Sequence, residues 1–312
     1  MKMIQWRYLM AAVFCAGAVP FLSAQAGRDA QVQTHEIQKD VLHGKTDKDF
    51  GWPEDEEDEF GKILSLKPAK RWYVTPYASA QGYWTSNALL ANNGEKGDTV
   101  FVETQGFNSG YRLTDDWNVQ AGYNYQLTRY DENPSLDVDT HNANFLTSYQ
   151  LPWDFRLMAG VNGAWLNSPD QKVEIYRECD PFAGVQQSHT YLDGKLYWYY
   201  GYQFDKKYTH PVGFERMEHT VYTGVSYAWL ANLVSQLGLR QNWQFYDYRP
   251  PSEPVNGRQE WVSSVALQTV WQPTPWMQVT AFGLAAYDNS INATRDYKLA
   301  NCGGEIRFFW KF

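Results

Sequence analysis

The sequence predicts an all-β protein: an antiparallel, up-and-down β-barrel of about twelve strands that crosses a membrane, with ten as the alternative count and a flexible leader ahead of it. Three observations predict this. From Arg71 onward the chain repeats one unit, an apolar/polar alternating run of roughly a dozen residues followed by a turn, which is long enough to cross a bilayer at a tilt. The connectors between these runs alternate between tight and long. The last run, Tyr297 to Phe312, ends on an aromatic and sets apolar Ile306, Phe308, Trp310 and Phe312 against charged Glu305, Arg307 and Lys311. Such a strand suits lipid on one side and a polar lumen on the other.

Residues 1–26 read as a secretory signal peptide. Lys2 and Arg7 form the basic start, Leu9 to Ser23 the apolar stretch, and Ala24-Gln25-Ala26 the small-x-small cleavage site. Cys15 falls within the discarded peptide. Residues 27–70 form an acidic leader. Between Arg28 and Phe60 eleven acidic side chains face four basic ones, most of them in the run Glu54-Asp55-Glu56-Glu57-Asp58-Glu59. Six consecutive carboxylates cannot pack, and they lack the spaced ligands and glycine turn of a calcium loop, so a solvated, disordered periplasmic segment is expected. The chain carries a net charge of −8 and no basic stripe, which argues against nucleic acid as a partner.

The barrel itself is expected over residues 71–312. Trp72 to Trp84 places Trp72, Val74, Ala78, Ala80 and Trp84 on one face. Trp117 to Tyr130 alternates Trp117, Val119, Ala121, Tyr123, Tyr125 and Leu127 with Asn118, Gln120, Gly122, Asn124, Gln126 and Thr128. Phe155 to Trp165, Leu192 to Phe204, Val221 to Trp229, Leu233 to Phe245 and Trp261 to Trp271 continue the series. Val100 to Leu113, Ala143 to Leu151 and Trp276 to Tyr287 read as further strands. An even number requires Val173 to Glu178 as a short twelfth, followed by an inner loop from Cys179 to Ser188. Asp115-Asp116, Pro152-Trp153, Leu230 to Asn232 and Pro273 to Pro275 read as tight turns. Asn87 to Gly97, Asp131 to Thr140, Tyr248 to Gly257 and Asn289 to Asp296 read as long loops. Nothing after residue 26 resembles a transmembrane helix, and aromatic residues make up 17 % of the chain, an excess that interfacial girdles would absorb.

The last strand resembles the C-terminal strand of Gram-negative outer-membrane β-barrel proteins. The resemblance implies that Trp310 and Phe312 belong to the signal read by the β-barrel assembly machinery, with Glu305 at its upstream polar position. Arg307 stands where that signal usually has glycine. It also implies outer-membrane lipid as the surroundings and both chain ends on the periplasmic side. The segment Thr85-Ser86-Asn87-Ala88-Leu89, with Arg129-Tyr130, is loosely similar to barrel regions of proteins tied to polysaccharide or lipoprotein export.

The phase of the strands directs Asn118, Gln120, Asn124, Gln126, Gln236, Asn242, Gln244 and Gln268 inward, together with the charged Glu218, Arg240, Glu260, Glu305 and Arg307. Amide and phenol linings suit small uncharged or saccharide-like solutes, which favours a narrow channel or an export-associated pore. A barrel this small has little room once its side chains fill it, so a closed structural or adhesive barrel displaying its loops is the alternative. A lipid-modifying enzyme is the second alternative. Its only Ser/His candidates are Ser188-His189, and His219 with Glu218, and adjacent strand residues point to opposite faces. No cofactor or metal is called for: there is no C-x-x-C, and the histidines lack ligand spacing. Cys179, placed on the periplasmic side, and Cys302, near the outer rim, are expected as free thiols. In the ten-strand reading they would come close enough to bridge.

Overall fold

A computed structural model describes residues 71–170, 172–247, 257–310 and 312. The signal peptide and acidic leader expected over residues 1–70, and most of the long loop expected at Tyr248 to Gly257, lie outside the described residues. Twelve strands follow one another: β1 (Trp72–Thr85), β2 (Asp98–Arg112), β3 (Trp117–Tyr130), β4 (Val138–Gln150), β5 (Phe155–Ser168), β6 (Val173–Tyr191), β7 (Leu196–His210), β8 (Arg216–Leu230), β9 (Leu233–Tyr246), β10 (Gln259–Thr274), β11 (Met277–Ser290) and β12 (Tyr297–Phe309). Each pairs antiparallel with the next, and β12 returns to β1, so the sheet closes into an up-and-down barrel with no free edge. None of the described helices is long and apolar enough to cross a membrane, which has no bearing on a barrel that crosses with its strands.

Period-2 alternation drives the closure. Apolar positions of one parity face outward, and polar positions of the other parity face in. Leu157, Val161, Val221, Val225, Leu237, Leu239, Val265 and Leu267 form an exposed aliphatic belt. Below it, at the end holding the tight turns, stand exposed Trp72, Trp117, Trp153, Trp229, Trp271, Trp276 and Trp310. Above it, at the long-loop end, stand Trp84, Phe101, Tyr208 and Tyr287. Trp72 and Trp84 lie at the two ends of β1. At about 3.3 Å per residue and a tilt near ~45° they are about 28 Å apart along the barrel axis, close to the thickness of a bilayer's hydrocarbon core.

The count of twelve holds, but one element differs from the sequence reading. Cys179 to Ser188 is not an inner loop. It is the middle of β6, a strand of 19 residues that carries the chain back to the tight-turn end. Pro181 disguises it. Proline cannot donate to a ladder, and the β6–β7 pairing lapses between Cys179↔Tyr208 and Phe182↔Asp205, while Pro181 still faces Val161 on the β5 side. The turn to β7 therefore falls at residues 192–195, where Leu192, Asp193 and Gly194 adopt positive φ of 55°, 53° and 90°. Leu192 belongs to this turn and not to the strand. Asp193-Gly194 is a turn dipeptide that marks the place. Cys179 accordingly sits on the outward face of β6, not in a periplasmic loop. Cys302 is on the outward face of β12, half the barrel away, and both are free, exposed thiols.

Other boundaries move by a few residues. β4 begins at Val138 and β8 at Arg216, because the inward Thr140, Arg216, Glu218 and Thr220 look like loop residues in sequence yet are buried inside the barrel. The connector from β5 to β6 is short for the loop end, spanning residues 169–172.

Candidate functional site

The interior of the barrel is the site. All thirteen positions that the phase directs inward share the parity of the buried residues. Gln120, Asn124, Gln126, Glu218, Asn242, Gln244, Glu260 and Glu305 are buried; Asn118, Gln236, Arg240, Gln268 and Arg307 are half-buried. Trp310 and Phe312 are exposed, and their backbone N–H groups donate to the carbonyls of Pro76 and Val74, both at 3.1 Å, which continues the β1 pairing beyond β12.

Much of the lining is built of amides and phenols, interrupted towards the tight-turn end by Arg240 and by the Glu305–Arg307 pair. Register sets Gln236 on β9 opposite Gln268 on β10, and Gln268 Nε2 donates to Gln236 Oε1 at 2.8 Å. Gln236 Nε2 in turn donates to the Tyr199 hydroxyl at 2.7 Å. The Tyr222 hydroxyl donates to Gln186 Oε1 at 3.1 Å, Asn142 Nδ2 to Asn124 Oδ1 at 2.9 Å, and Gln126 Nε2 to Thr128 Oγ1 at 3.1 Å. Tyr199, Tyr222, Gln236, Arg240, Ser264, Gln268 and Phe282 border a cavity of about 100 Å³. Glycines opposite the tyrosines leave room for the rings. A Cβ on Gly224 would stand 2.3 Å from the Tyr199 hydroxyl oxygen, and one on Gly201 2.5 Å from that of Tyr222.

Higher up, the interior divides into two sectors. From β7 to β10 it is charged. Glu218 accepts from Arg216 Nε at 2.6 Å and from Asn242 Nδ2 at 2.8 Å, and it pairs with Lys207 Nζ at 3.1 Å. Arg258 Nε donates to Glu260 at 2.6 Å, and the Tyr246 hydroxyl reaches the same carboxylate at 3.0 Å. The Tyr246 ring lies 4.0 Å from the Arg258 guanidinium and 5.3 Å from that of Arg216, measured to its centroid. Glu218 and Glu260 thus each have a cation beside them, as the low dielectric favours, while buried Asp205 of β7 is met by the Gln203 amide. The pairing of Glu305 with Arg307, at 3.1 Å, repeats this nearer the chain ends.

The other sector holds apolar clusters among its polar groups, a feature the sequence reading missed. Tyr83, Val100, Val102 and Tyr130 form a buried cluster with Ala88 and Leu136, and Val138, Ala164, Leu166 and Tyr176 form another with Phe214. Ala88, Leu136 and Phe214 come from three connectors at the loop end, which fold inward instead of standing in solvent. Asn87 holds the first of them. Its Nδ2 donates to the carbonyls of Ala91 (2.9 Å) and Lys298 (3.0 Å), and its Oδ1 accepts from the Ala91 N–H (3.0 Å). Asp98 holds the second, accepting from the N–H groups of Glu132 (2.9 Å) and Asn133 (3.0 Å) and from Asn133 Nδ2 (2.7 Å). The sequence signal for this inward tuck is the apolar trio Ala88-Leu89-Leu90 inside a loop otherwise rich in Asn and Gly.

The hydrolase candidates are not brought together. Ser188 faces inward and His189 outward, on the side of Trp198. His219 faces outward with Nδ1 2.8 Å or less from its phenol partner, the Tyr202 hydroxyl (2.7 Å), while Glu218 faces the interior. Among the described residues no group of three or more His, Cys, Asp and Glu side chains is placed to hold a metal ion.

No family model matches this chain, and no curated protein matches it. Solved structures do. An outer-membrane channel from Pseudomonas putida F1 is 11 % identical, with a TM-score of 0.52 over 79 % of this chain and 100 % of its own. The translocator domain of the autotransporter NalP from Neisseria meningitidis is 11 % identical, with a TM-score of 0.45 over 91 % of this chain and 97 % of its own. The monoaromatic hydrocarbon channel CymD is 11 % identical, with a TM-score of 0.42 over 84 % and 94 %. At such identities the likeness is one of fold: the chain is a closed antiparallel barrel of the outer-membrane type.

Proposed function

We propose that this protein is a narrow outer-membrane channel for small, uncharged, hydroxyl-rich solutes of the saccharide kind, with both chain ends in the periplasm. The observation that carries the reading is the chain of amide and phenol groups Tyr199–Gln236–Gln268 beside the cavity, with Arg240 as the one cation on its border. Amides and phenols both donate and accept, so a solute hydroxyl can replace each of these contacts in turn without leaving a charge bare. A wall of free charges would instead favour ions. The ion pairs present are compensated within the wall and serve to brace it.

The closed-barrel alternative draws support from the inward connectors, whose Ala88, Leu136 and Phe214 side chains fill the loop end. The two readings differ in what loop removal does. Single-channel recording in planar bilayers, with liposome swelling in glycerol, glucose and sucrose, separates them. The channel reading expects a small conductance that rises when residues 88–96 are replaced by a short Gly-Ser linker, and swelling that falls with solute size. A barrel that stays electrically silent and unswollen after that replacement is closed, and the channel reading then fails.

A further inference from the structure

The outward face of β2 breaks the apolar rule of the lipid-facing surface. Between exposed Phe101 and Phe107 it carries Glu103 and Gln105, both exposed. Phe101 and Tyr111 mark the two ends of this face. At about 3.3 Å per residue and a tilt of about 45°, Glu103 lies about 5 Å inside Phe101 and Gln105 about 9 Å. Both therefore stand within the hydrocarbon layer, where an ionisable side chain is costly and calls for a partner. Register gives Glu103 only Ala80 of β1 and Leu127 of β3 as lateral neighbours. Arg129, diagonal to it on β3, is taken by Asp139 at 2.6 Å. Among the described residues neither Glu103 nor Gln105 has a hydrogen-bond or ion-pair partner.

A complementary donor stands on the next strand. Tyr125, on the outward face of β3, is five residues in from the loop end of its strand at Tyr130, and Glu103 is five in from Asp98, so the two share one depth. The Tyr125 hydroxyl reaches Asp139 at a long 3.4 Å, and Asp139 already has Arg129, so the hydroxyl can turn outward without stranding a charge. We propose that this face is the contact between two copies of the chain, related by a two-fold axis that runs along the barrel axis between β2 and β3. An axis in that place sets Glu103 of each copy against Tyr125 of the other. Two identical contacts result, each a phenol O–H donating to a carboxylate, which is the isologous arrangement. Lipid tails hold no donor for either carboxylate, whereas a second copy supplies both at once. On the β1 side Ala78, Ala80 and Gly82 pair in register with Gln105, Glu103 and Phe101, and their small side chains let the two walls approach closely. The inference rests on the barrel crossing a membrane and not on its conducting.

Stepwise photobleaching tests this on the full chain, labelled once at its amino terminus and reconstituted at rising dilution into phosphatidylcholine liposomes, with and without lipopolysaccharide. The wild-type protein should bleach in two steps until it is diluted below its dissociation constant. Tyr125→Phe removes the hydroxyl and keeps the ring, and it should raise that constant about 100-fold, roughly tenfold for each of two charge-assisted hydrogen bonds. Glu103→Leu, a lipid-compatible change checked for folding by heat-modifiable gel mobility, should also shift the protein to single steps. Val225→Ala, on the belt of β8 away from this face, should leave the dimer as tight as in wild type. Wild-type protein that is monomeric at every dilution in both kinds of liposome would overturn the proposal on its own, even if a variant fails to fold. A wild-type assembly of three or more copies would overturn it too, as would a dimer that Tyr125→Phe leaves undiminished.

Discussion

Replacing Gly224 with alanine should destabilise the barrel by about 2–4 kcal/mol, because Gly224 of β8 is the seat on which the Tyr199 ring of β7 rests. The added methyl would meet the Tyr199 hydroxyl oxygen at 2.3 Å, its ζ carbon at 2.4 Å and an ε carbon at 2.8 Å, against an ordinary contact of roughly 3.5–4.0 Å. The ring must therefore move by more than about 1 Å inside a packed wall, which typically costs about 1–3 kcal/mol. The move also breaks the hydrogen bond that Gln236 donates to the Tyr199 hydroxyl, worth about 1 kcal/mol net. Equilibrium urea unfolding in detergent micelles, followed by tryptophan fluorescence and by gel mobility, measures the loss. Tyr199→Phe isolates the hydrogen bond and should lose only about 1 kcal/mol. In a Tyr199→Ala background the glycine should become replaceable at little further loss, giving a coupling energy of about 1–3 kcal/mol between the two sites. A Gly224→Ala protein within about 0.5 kcal/mol of wild type would refute this packing argument.

Three further outcomes are expected. A lysine at Val161, on the exposed belt, should lower stability in lipid by about 2–4 kcal/mol, whereas a lysine at Asn118, inward and half-buried, should cost clearly less; equal losses would put the strand phase in error. Deleting Phe312 should leave the protein in the periplasm and open to proteolysis, read by membrane fractionation and immunoblotting, and normal outer-membrane levels would remove the assembly role of that residue. Cys179 and Cys302 should both react with a lipophilic maleimide and neither with a charged, membrane-impermeant one, and mass mapping should find no bridge between them, since they lie on opposite sides of the barrel.

Much of this architecture is written in residue parity. Trp117 to Tyr130 alone shows which side chains face lipid and which face the lumen, because a one-residue error would turn Tyr123 and Val119 inward and Asn124 outward. Parity says nothing about neighbours, however. That Gln236 meets Gln268, or that Arg258 and Arg216 flank Tyr246, depends on the register between strands, which the closed barrel sets and no single run records. The one misassigned element failed for a local reason. Pro181 and the small residues Ala183 and Gly184 weaken the strand pattern of β6 where its outward face needs only Cys179, Pro181 and Ala183 against lipid. The inward connectors failed for another reason. Leu136 and Phe214 stand amid turn formers, and Ala88-Leu89-Leu90 is a run of only three, so only the three-dimensional closure gives them something to pack on.

The first connector has a mechanical consequence. β1 and β12 are the two ends of the sheet, and their regular ladder spans Tyr77 to Thr85 against Phe309 to Asn301, with only the two hydrogen bonds from Trp310 and Phe312 beyond it, whereas β1 and β2 pair along the whole of Trp72 to Thr85. The connector 86–97 lies across that join like a clasp. Ser86 N–H donates to the Ala300 carbonyl at 2.8 Å, Asn87 to that of Lys298 at 3.0 Å, and Asn92 to that of Ala293. A barrel that unzips from its weakest line must release this fastener first, and one that is closing cannot engage it until the first and last strands have met. A single loop thereby both packs into the loop end of the interior and stitches the cylinder shut, so any motion that draws it out of the interior also loosens the join.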